Sequence, residues 1–346
     1  MDIRTRIAVF YTNHKKELQV ATLPMIAIVA VGSFMLFTHA AGSVVSGEAE
    51  SGTKSTQAKQ VADATASGGQ AVKFAAPVVS GGTDFCSTSP ALPSVKPTAA
   101  NTGVPAGTTL SASGTITVTT PGTVIDGKDV TGSIKVNANN VTIKNSKIHT
   151  SGGYWAIFSD IDPTGTKIIN NEIYSPSGFY TGITLNNVFI CGNYIHGFDN
   201  MITGGDNMTI QANYMDKFES VDPSPHFDGI EIYWGNNTKV WGNNILMQDV
   251  SGNWLGDTGA INLTTENSNI DNVDIRGNWI GGGSYTLYVV RSTDHPTNRY
   301  TNISVVNNRW YGSAPNGYAM WGPVSSDDPI TTWSGNVWDA TGQIIP

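Results

Sequence analysis

Charged residues are only 13% of this 346-residue chain, so places where titratable side chains gather are informative. His226, Asp228 and Glu231 fall within six positions of one another, Asp222 lies just before them, and Arg291 follows in a later segment. An imidazole has the right pKa to take a proton near neutrality. Carboxylates can act as general acids or bases, and Asp222, Asp228 and Glu231 together offer oxygen ligands for a hard cation. Arg291 could clamp an anion.

Those groups match the demands of elimination from an acidic polysaccharide: neutralisation of the substrate carboxylate, a base for the neighbouring proton and a donor to the leaving oxygen. Hydrolysis demands instead two carboxyl groups on one face. Asp228 and Glu231 are three residues apart, hence on opposite faces of an ideal strand, which ranks hydrolysis below elimination. Asp228 shares its alternation with Ile230 and Ile232, so it points outward only if the strand starts at Gly229 or a bulge intervenes. Glu231 is outward by simple alternation. Binding without catalysis needs only aromatic platforms and polar partners for hydroxyls, which Tyr233, Trp234, Trp254, Tyr285 and Tyr288 with Asn262 and Thr264 could supply.

The elements that must hold these residues repeat. An eight-residue pattern starts at positions 141, 166, 188, 208, 238, 273, 303 and 331, reading VTIKNSKI, TKIINNEI, VFICGNYI, MTIQANYM, TKVWGNNI, VDIRGNWI, ISVVNNRW and TTWSGNVW. The 20–35-residue spacing suits the coils of a solenoid, in which one site in successive coils stacks into a column. The apolar positions are expected in the core, along with Trp241, Trp279, Trp310, Trp333 and Trp338. Asn171, Asn193, Asn213, Asn243, Asn278, Asn308 and Asn336, with Ser146 in the first coil, are expected to form an amide ladder and to take the left-handed turn conformation. A second strand precedes each copy, as in GITL at 182, GIEI at 229, AINL at 260 and TLYV at 286. With Ile183, Ile230, Ile261 and Leu287 inward, Thr184, Glu231, Asn262 and Tyr288 form an outward column, continued by Tyr233 and Thr264. The segments Met215 to Phe227 and Leu246 to Thr258 are expected to wall a groove beside it.

The formal net charge is −8, and the first 22 residues contribute +2 to it. The acidic remainder repels phosphate backbones and argues against nucleic acid as a partner. Residues 1–22 read as a basic cytoplasmic segment and 23–45 (LPMIAIVAVGSFMLFTHAAGSVV) as a signal anchor, with a cleaved signal peptide ending near Ala40 as the competing reading. Both export the rest. Residues 46–100, rich in Ser, Thr, Ala, Gly and Pro, read as a spacer, and 101–346 as the repeat domain. Cys86 and Cys191 would meet an oxidising compartment; a bridge would tie the spacer to the coil, the alternative being a buried thiol at Cys191.

NTGVPAGTTL at 101, GTVIDGKDVTG at 122, NNVTIKNSKI at 139, HFDGIEI at 226, GNWIGGGSYTLY at 277 and TWSGNVWDATGQ at 332 resemble secreted bacterial right-handed parallel β-helix repeat proteins, relatives in fold of the pectate lyases. The resemblance covers about residues 100–346. It implies an all-β solenoid, a role for His226, Asp228 and Glu231, and calcium or a cationic side chain for charge neutralisation. EAESGTKSTQAKQVADATASGGQAVKF, residues 48–74, resembles the opening strands of β-sandwich carbohydrate-binding modules, although 27 residues cannot bury a sandwich core. The expectation is therefore an extracellular β-helix active on a polysaccharide, with lyase-like cleavage of an acidic glycan. The alternative is a non-catalytic surface protein that binds glycans.

Overall fold

The computed structural model describes residues 58–62, 70–74, 85–86, 92–150 and 152–346. The expected basic segment and membrane anchor, residues 1–45, lie outside the described residues, as does most of the spacer. The chain divides into two units, residues 1–78 and 79–346. Within the first, Ala58–Ala62 pairs antiparallel with Gln70–Phe74.

The second unit is built from three parallel sheets of nine, nine and ten strands, visited in rotation by the chain. This is a parallel β-helix, consistent with the right-handed form. The sheet that carries the candidate site runs from Ile116–Val118 to Gly322–Ser326 and includes Trp155–Phe158, Thr181–Thr184, Asn200–Gly204, Asp228–Ile232, Gly259–Thr264 and Tyr285–Val290. Isoleucines stack through its interior: Ile157, Ile183, Ile202, Ile230, Ile261 and then Leu287 are registered one above the next and have no exposed surface. Each coil buries β-branched residues against like residues of its neighbours, which is what keeps the coils in step.

The asparagine column stands at the corner between the other two sheets. Each member is wholly buried, and from Asn193 onward each oxygen accepts twice from the coil before. Thus Asn243 Oδ1 accepts from Asn213 N and Nδ2 at 3.0 and 2.9 Å, while Asn243 Nδ2 donates to Ile210 O at 2.8 Å and to Asn278 Oδ1 at 3.0 Å. The expectation of a left-handed conformation is displaced by one residue. Positive φ belongs to the position before each ladder residue: Asn145, Asn170, Gly192, Ala212, Gly242, Gly277, Asn307 and Gly335. The ladder residue itself keeps a negative φ.

Trp310 and Trp338 are buried as expected, but Trp241 is not core. Its strand position faces outward, its indole N–H bonds Asp274 at 3.0 Å, and Arg276 lies over its ring. Trp279 and Trp333 are only partly buried.

Cys86 and Cys191 form a disulfide. Beside it Phe85 O accepts from Gln211 Nε2 at 2.6 Å, and farther on Pro97 O accepts from Asn244 Nδ2 at 2.7 Å and Gly103 N donates to Gly192 O at 2.8 Å. A Cβ at Gly242 would stand 2.0 Å from Pro93, and one at Gly277 2.7 Å from Leu92. Residues 92–100, read from composition as spacer, are thus a strap across the coils, held because backbone carbonyls without strand partners are satisfied by coil amides.

Candidate functional site

The outer face of the site sheet is built as rows, one per coil. From Trp155–Phe158 to Tyr285–Val290 strict alternation fails in each row at the same place. Ala156 and Ile157 are both fully buried between Trp155 and Phe158; Met201 and Ile202 repeat this, as do Ala260 and Ile261. Gly182 and Gly229 occupy the same inward position: a Cβ on Gly229 would meet Ile245 at 2.6 Å, inside the core. Two consecutive residues face inward, so the residues flanking them, three apart, share the outer face. The pairs are Trp155/Phe158, Thr181/Thr184, Asn200/Thr203, Asp228/Glu231 and Gly259/Asn262, in continuous register. Asn262 registers in turn with Tyr288.

This corrects the opposite-face reading of Asp228 and Glu231, which assumed an ideal strand. Their carboxyl groups are in hydrogen-bonding contact, Asp228 with no exposed surface and Glu231 with 5%. Asp228 Oδ1 accepts from Gly259 N at 3.3 Å, and Asn262 also bonds the carboxyl. Glu231 Oε2 accepts from Asn200 Nδ2 at 2.6 Å, and the Tyr233 hydroxyl donates to the same carboxyl. Asp228 Oδ2 has no hydrogen-bond partner, and two ionised carboxylates could supply none to each other unless one is protonated.

Electrostatics force that protonation. Burial, then the Glu231 charge, pushes Asp228 far above the usual carboxylate range. Burial and the charge of Glu266 push Glu231 up to about 7, against the bonds from Tyr233 and Asp228. Asp199, whose carbonyl accepts from Asp228 N at 3.2 Å, is raised by burial to about 6; its Oδ2 accepts from Ser220 Oγ at 3.0 Å. Two carboxyls in contact inside a low dielectric cannot both ionise cheaply, so the pair holds a proton near neutrality.

The other expected site residues divide. His226 is exposed and touches the cluster only through Asp199, to which its backbone N–H donates. Arg291 does not join it: its guanidinium lies 3.8 Å from Asp327 and 3.7 Å from Asp328, two coils farther along. Asp222 uses Oδ1 to accept from Ser224 N at 2.9 Å in its own turn. The set Asp222, Asp228 and Glu231 therefore does not fit calcium, and no group of three His, Cys, Asp or Glu among the described residues is arranged to hold a metal.

Trp254 is stacked on Tyr318 with centroids 4.4 Å apart, so it braces the loop over Leu246 to Thr258 against a later one. Tyr233 stacks on Trp234, whose ring packs over Gly205. Trp234 also lines a recess of about 110 Å³ with Thr184, Ser159 and Asn186. Tyr285 and Tyr288 meet edge to face at 5.5 Å, and Thr264 is buried. Asn262 alone of the expected polar partners touches the acid pair.

Sequence reasoning missed Asp199, Asn200 and Thr203. Their strand has poor alternation, and only matching Ile202 to Ile230 would have aligned Asn200 with Asp228. No protein-family model, curated protein or solved structure matches this chain.

Proposed function

We propose that this face cleaves a glycan outside the cell by acid–base hydrolysis, with Glu231 as the proton donor. The observation that carries the reading is the buried Asp228–Glu231 pair on the outer face. A general acid needs a carboxyl kept protonated near neutral pH, and burial beside a second carboxyl achieves that. Glu231 gives its proton to the glycosidic oxygen as the C–O bond breaks. Water adds to the anomeric carbon and Asp199, ionised above about pH 6, takes the water's proton. Asp228, itself kept neutral by burial, is a positioning residue that orients the Glu231 carboxyl.

Elimination from an acidic glycan is less well supported. Arg291 is engaged by two aspartates, and the charges of Asp199, Asp222 and Glu266 beside the pair would repel a uronate. A neutral glycan meets neither obstacle. Export through the N-terminal segment is part of the proposal, and the disulfide, which persists in oxidising compartments, supports it.

The test is release of reducing ends from neutral polysaccharides by the purified chain, with ultraviolet absorbance of unsaturated uronates followed in parallel on acidic ones. Hydrolysis lost in Glu231→Gln protein supports the proposal. Absorbance on acidic glycans without reducing-end release from neutral ones would replace it with a lyase. Retention on glycans with neither signal would leave a binding protein, a reading that the aromatic rows favour.

A further inference from the structure

The recess beside Trp234 takes no part in the acid pair. It lies where the strands Thr181–Thr184 and Asn200–Gly204 end and the chain turns towards the next sheet, two coils from Glu231 in the register column that runs through Thr203 and Thr184. Ser159, Ile161, Asp162, Asn186, Gly204 and Trp234 are among its walls, and its volume of about 110 Å³ is that of three or four waters at ~30 Å³ each. Two of those walls are held in place. A Cβ on Gly205 would stand 2.7 Å from the Trp234 ring, so the indole lies against bare backbone, and Tyr233 stacks on it 10° from parallel. Asn186 Oδ1 accepts from Gly205 N and Asp206 N, each at 3.0 Å, which leaves Asn186 Nδ2 to donate to Asp162 Oδ1 at 3.1 Å.

The charge of the recess defines its ligand. Asp162 is exposed, and among the described residues no cation pairs with it. Lys135, which registers with Phe158 and through it with Thr184, is taken by Asp160 at 2.8 Å. Asp206, beside Gly205, carries a second carboxylate without a cation; its Oδ1 accepts from Asn236 N at 2.9 Å. One carboxylate, an amide and an indole are too few oxygens for a hard metal ion, which takes about six or more. An ammonium group is served by such a set, since it donates to a carboxylate while the carbons that carry it rest on an aromatic face.

We infer that this recess binds an amino sugar, with its ammonium group on Asp162 and its apolar ring face against Trp234. The inference rests on the glycan-cleaving reading for the ligand being a sugar, and deepens it by naming the substrate class as a glycan with free amino groups. The charges of Asp199, Asp222 and Glu266 that repel a uronate from the acid pair attract such a glycan. A neutral or N-acetylated sugar brings no charge to Asp162 and gains nothing from it.

The experiment is calorimetric titration of Glu231→Gln protein, which lacks the proton donor, with β-1,4-linked trimers of glucosamine, N-acetylglucosamine and glucose at about pH 6, where an amine is protonated. The glucosamine trimer should bind about fivefold or more tighter than the other two, and the preference should shrink as salt is raised. Asp162→Asn should erase the preference and leave the glucose trimer unaffected, whereas Trp234→Ala should weaken all three. Asp294→Asn removes the same charge in the loop after Tyr285–Val290, four coils farther along, and should leave the preference standing. No preference for the amine, binding of none of the trimers, or a preference lowered as much by Asp294→Asn as by Asp162→Asn would overturn the inference. So would a Gly-Lys-Gly peptide bound as tightly as the glucosamine trimer, since the recess would then read an ammonium group without a sugar. Wild-type protein assayed for cleavage of the same trimers separates the two readings. Amine preference without cleavage would sink the hydrolytic reading alone, and cleavage without amine preference would sink the recess alone.

Discussion

The asparagine corner and the outer face of the site sheet are both columns one residue wide, repeated coil after coil, yet they solve opposite problems. At the corner every buried amide has its partners: Asn278 Oδ1 accepts from Asn243 N and Nδ2, and Asn278 Nδ2 reaches Val240 O and Asn308 Oδ1. On the site sheet the identity changes at every row, from tryptophan to threonine, asparagine, aspartate and glycine, and polar atoms are left unpaired. A satisfied ladder fixes register and offers nothing to a ligand. An unsatisfied one is tolerated only because the satisfied one carries the fold, and it is therefore where binding and chemistry are found.

That contrast can be broken most sharply at the acid pair. Glu231→Gln should lower hydrolysis by about 10²–10⁴-fold while leaving the melting temperature unchanged or higher at pH 8, because it removes a buried charge. An equal loss of activity and of folding would show that Glu231 belongs to the structural class after all. The reciprocal change, Asn243→Ala, removes four buried hydrogen bonds. It should cost on the order of 3–5 kcal/mol, read in thermal unfolding, with little change in the activity of the folded protein at low temperature.

Opening the strap by Cys86→Ser releases a link spanning 105 residues and should cost about 2–4 kcal/mol in denaturant unfolding, with the site intact. A midpoint that does not move would mean that the Phe85 and Pro97 carbonyl contacts hold the strap alone.

The pH dependence distinguishes the regions again. Glu231, raised from 4.5 to about 7, binds a proton in the folded chain that the unfolded chain has already lost, so stability falls as pH rises from about 4.5 to 7. Asp199, raised to about 6, acts in the same direction. Together they should lower the melting temperature over that window, and Glu231→Gln should flatten the slope. On the outer face of the ten-stranded sheet the sign reverses. Glu172, held to about 2 by His196 and Lys147, contributes stability above pH 4.5 that is lost as pH falls towards 2. Activity should peak between about 6 and 7, where Asp199 is ionised and Glu231 protonated. The smallest effect is expected at Arg291→Ala, below about 1 kcal/mol and without consequence for hydrolysis, since its ion pairs are half exposed.

The solenoid was legible because its cause is periodic. Ile168, Ile190, Ile210, Val240 and their successors recur with an asparagine at a fixed offset, and a coil can bury them only against another coil. The displaced left-handed residue was half legible: the mixture of Asn and Gly at 170, 192, 242, 277, 307 and 335 marks it, but the invariant asparagine beside it drew the assignment. The site was legible only as composition. Glu231, Asn262 and Tyr288 were correctly turned outward by alternation, whereas Asp228 was left undecided and Arg291 was grouped with residues two coils away.

The sequence by itself therefore determined the coil, its core columns and the buried amide ladder, since each follows from a local pattern repeated with its neighbours one turn apart. Only the tertiary structure decided that Asp228 and Glu231 meet, buried, on one face. The break in alternation that brings them together is a property of the strand's path past Gly229, and the burial that protonates them comes from coils and loops distant in the chain. Whether a carboxyl is a solvated charge or an acid depends on what covers it, and no residue pattern along one strand specifies the cover.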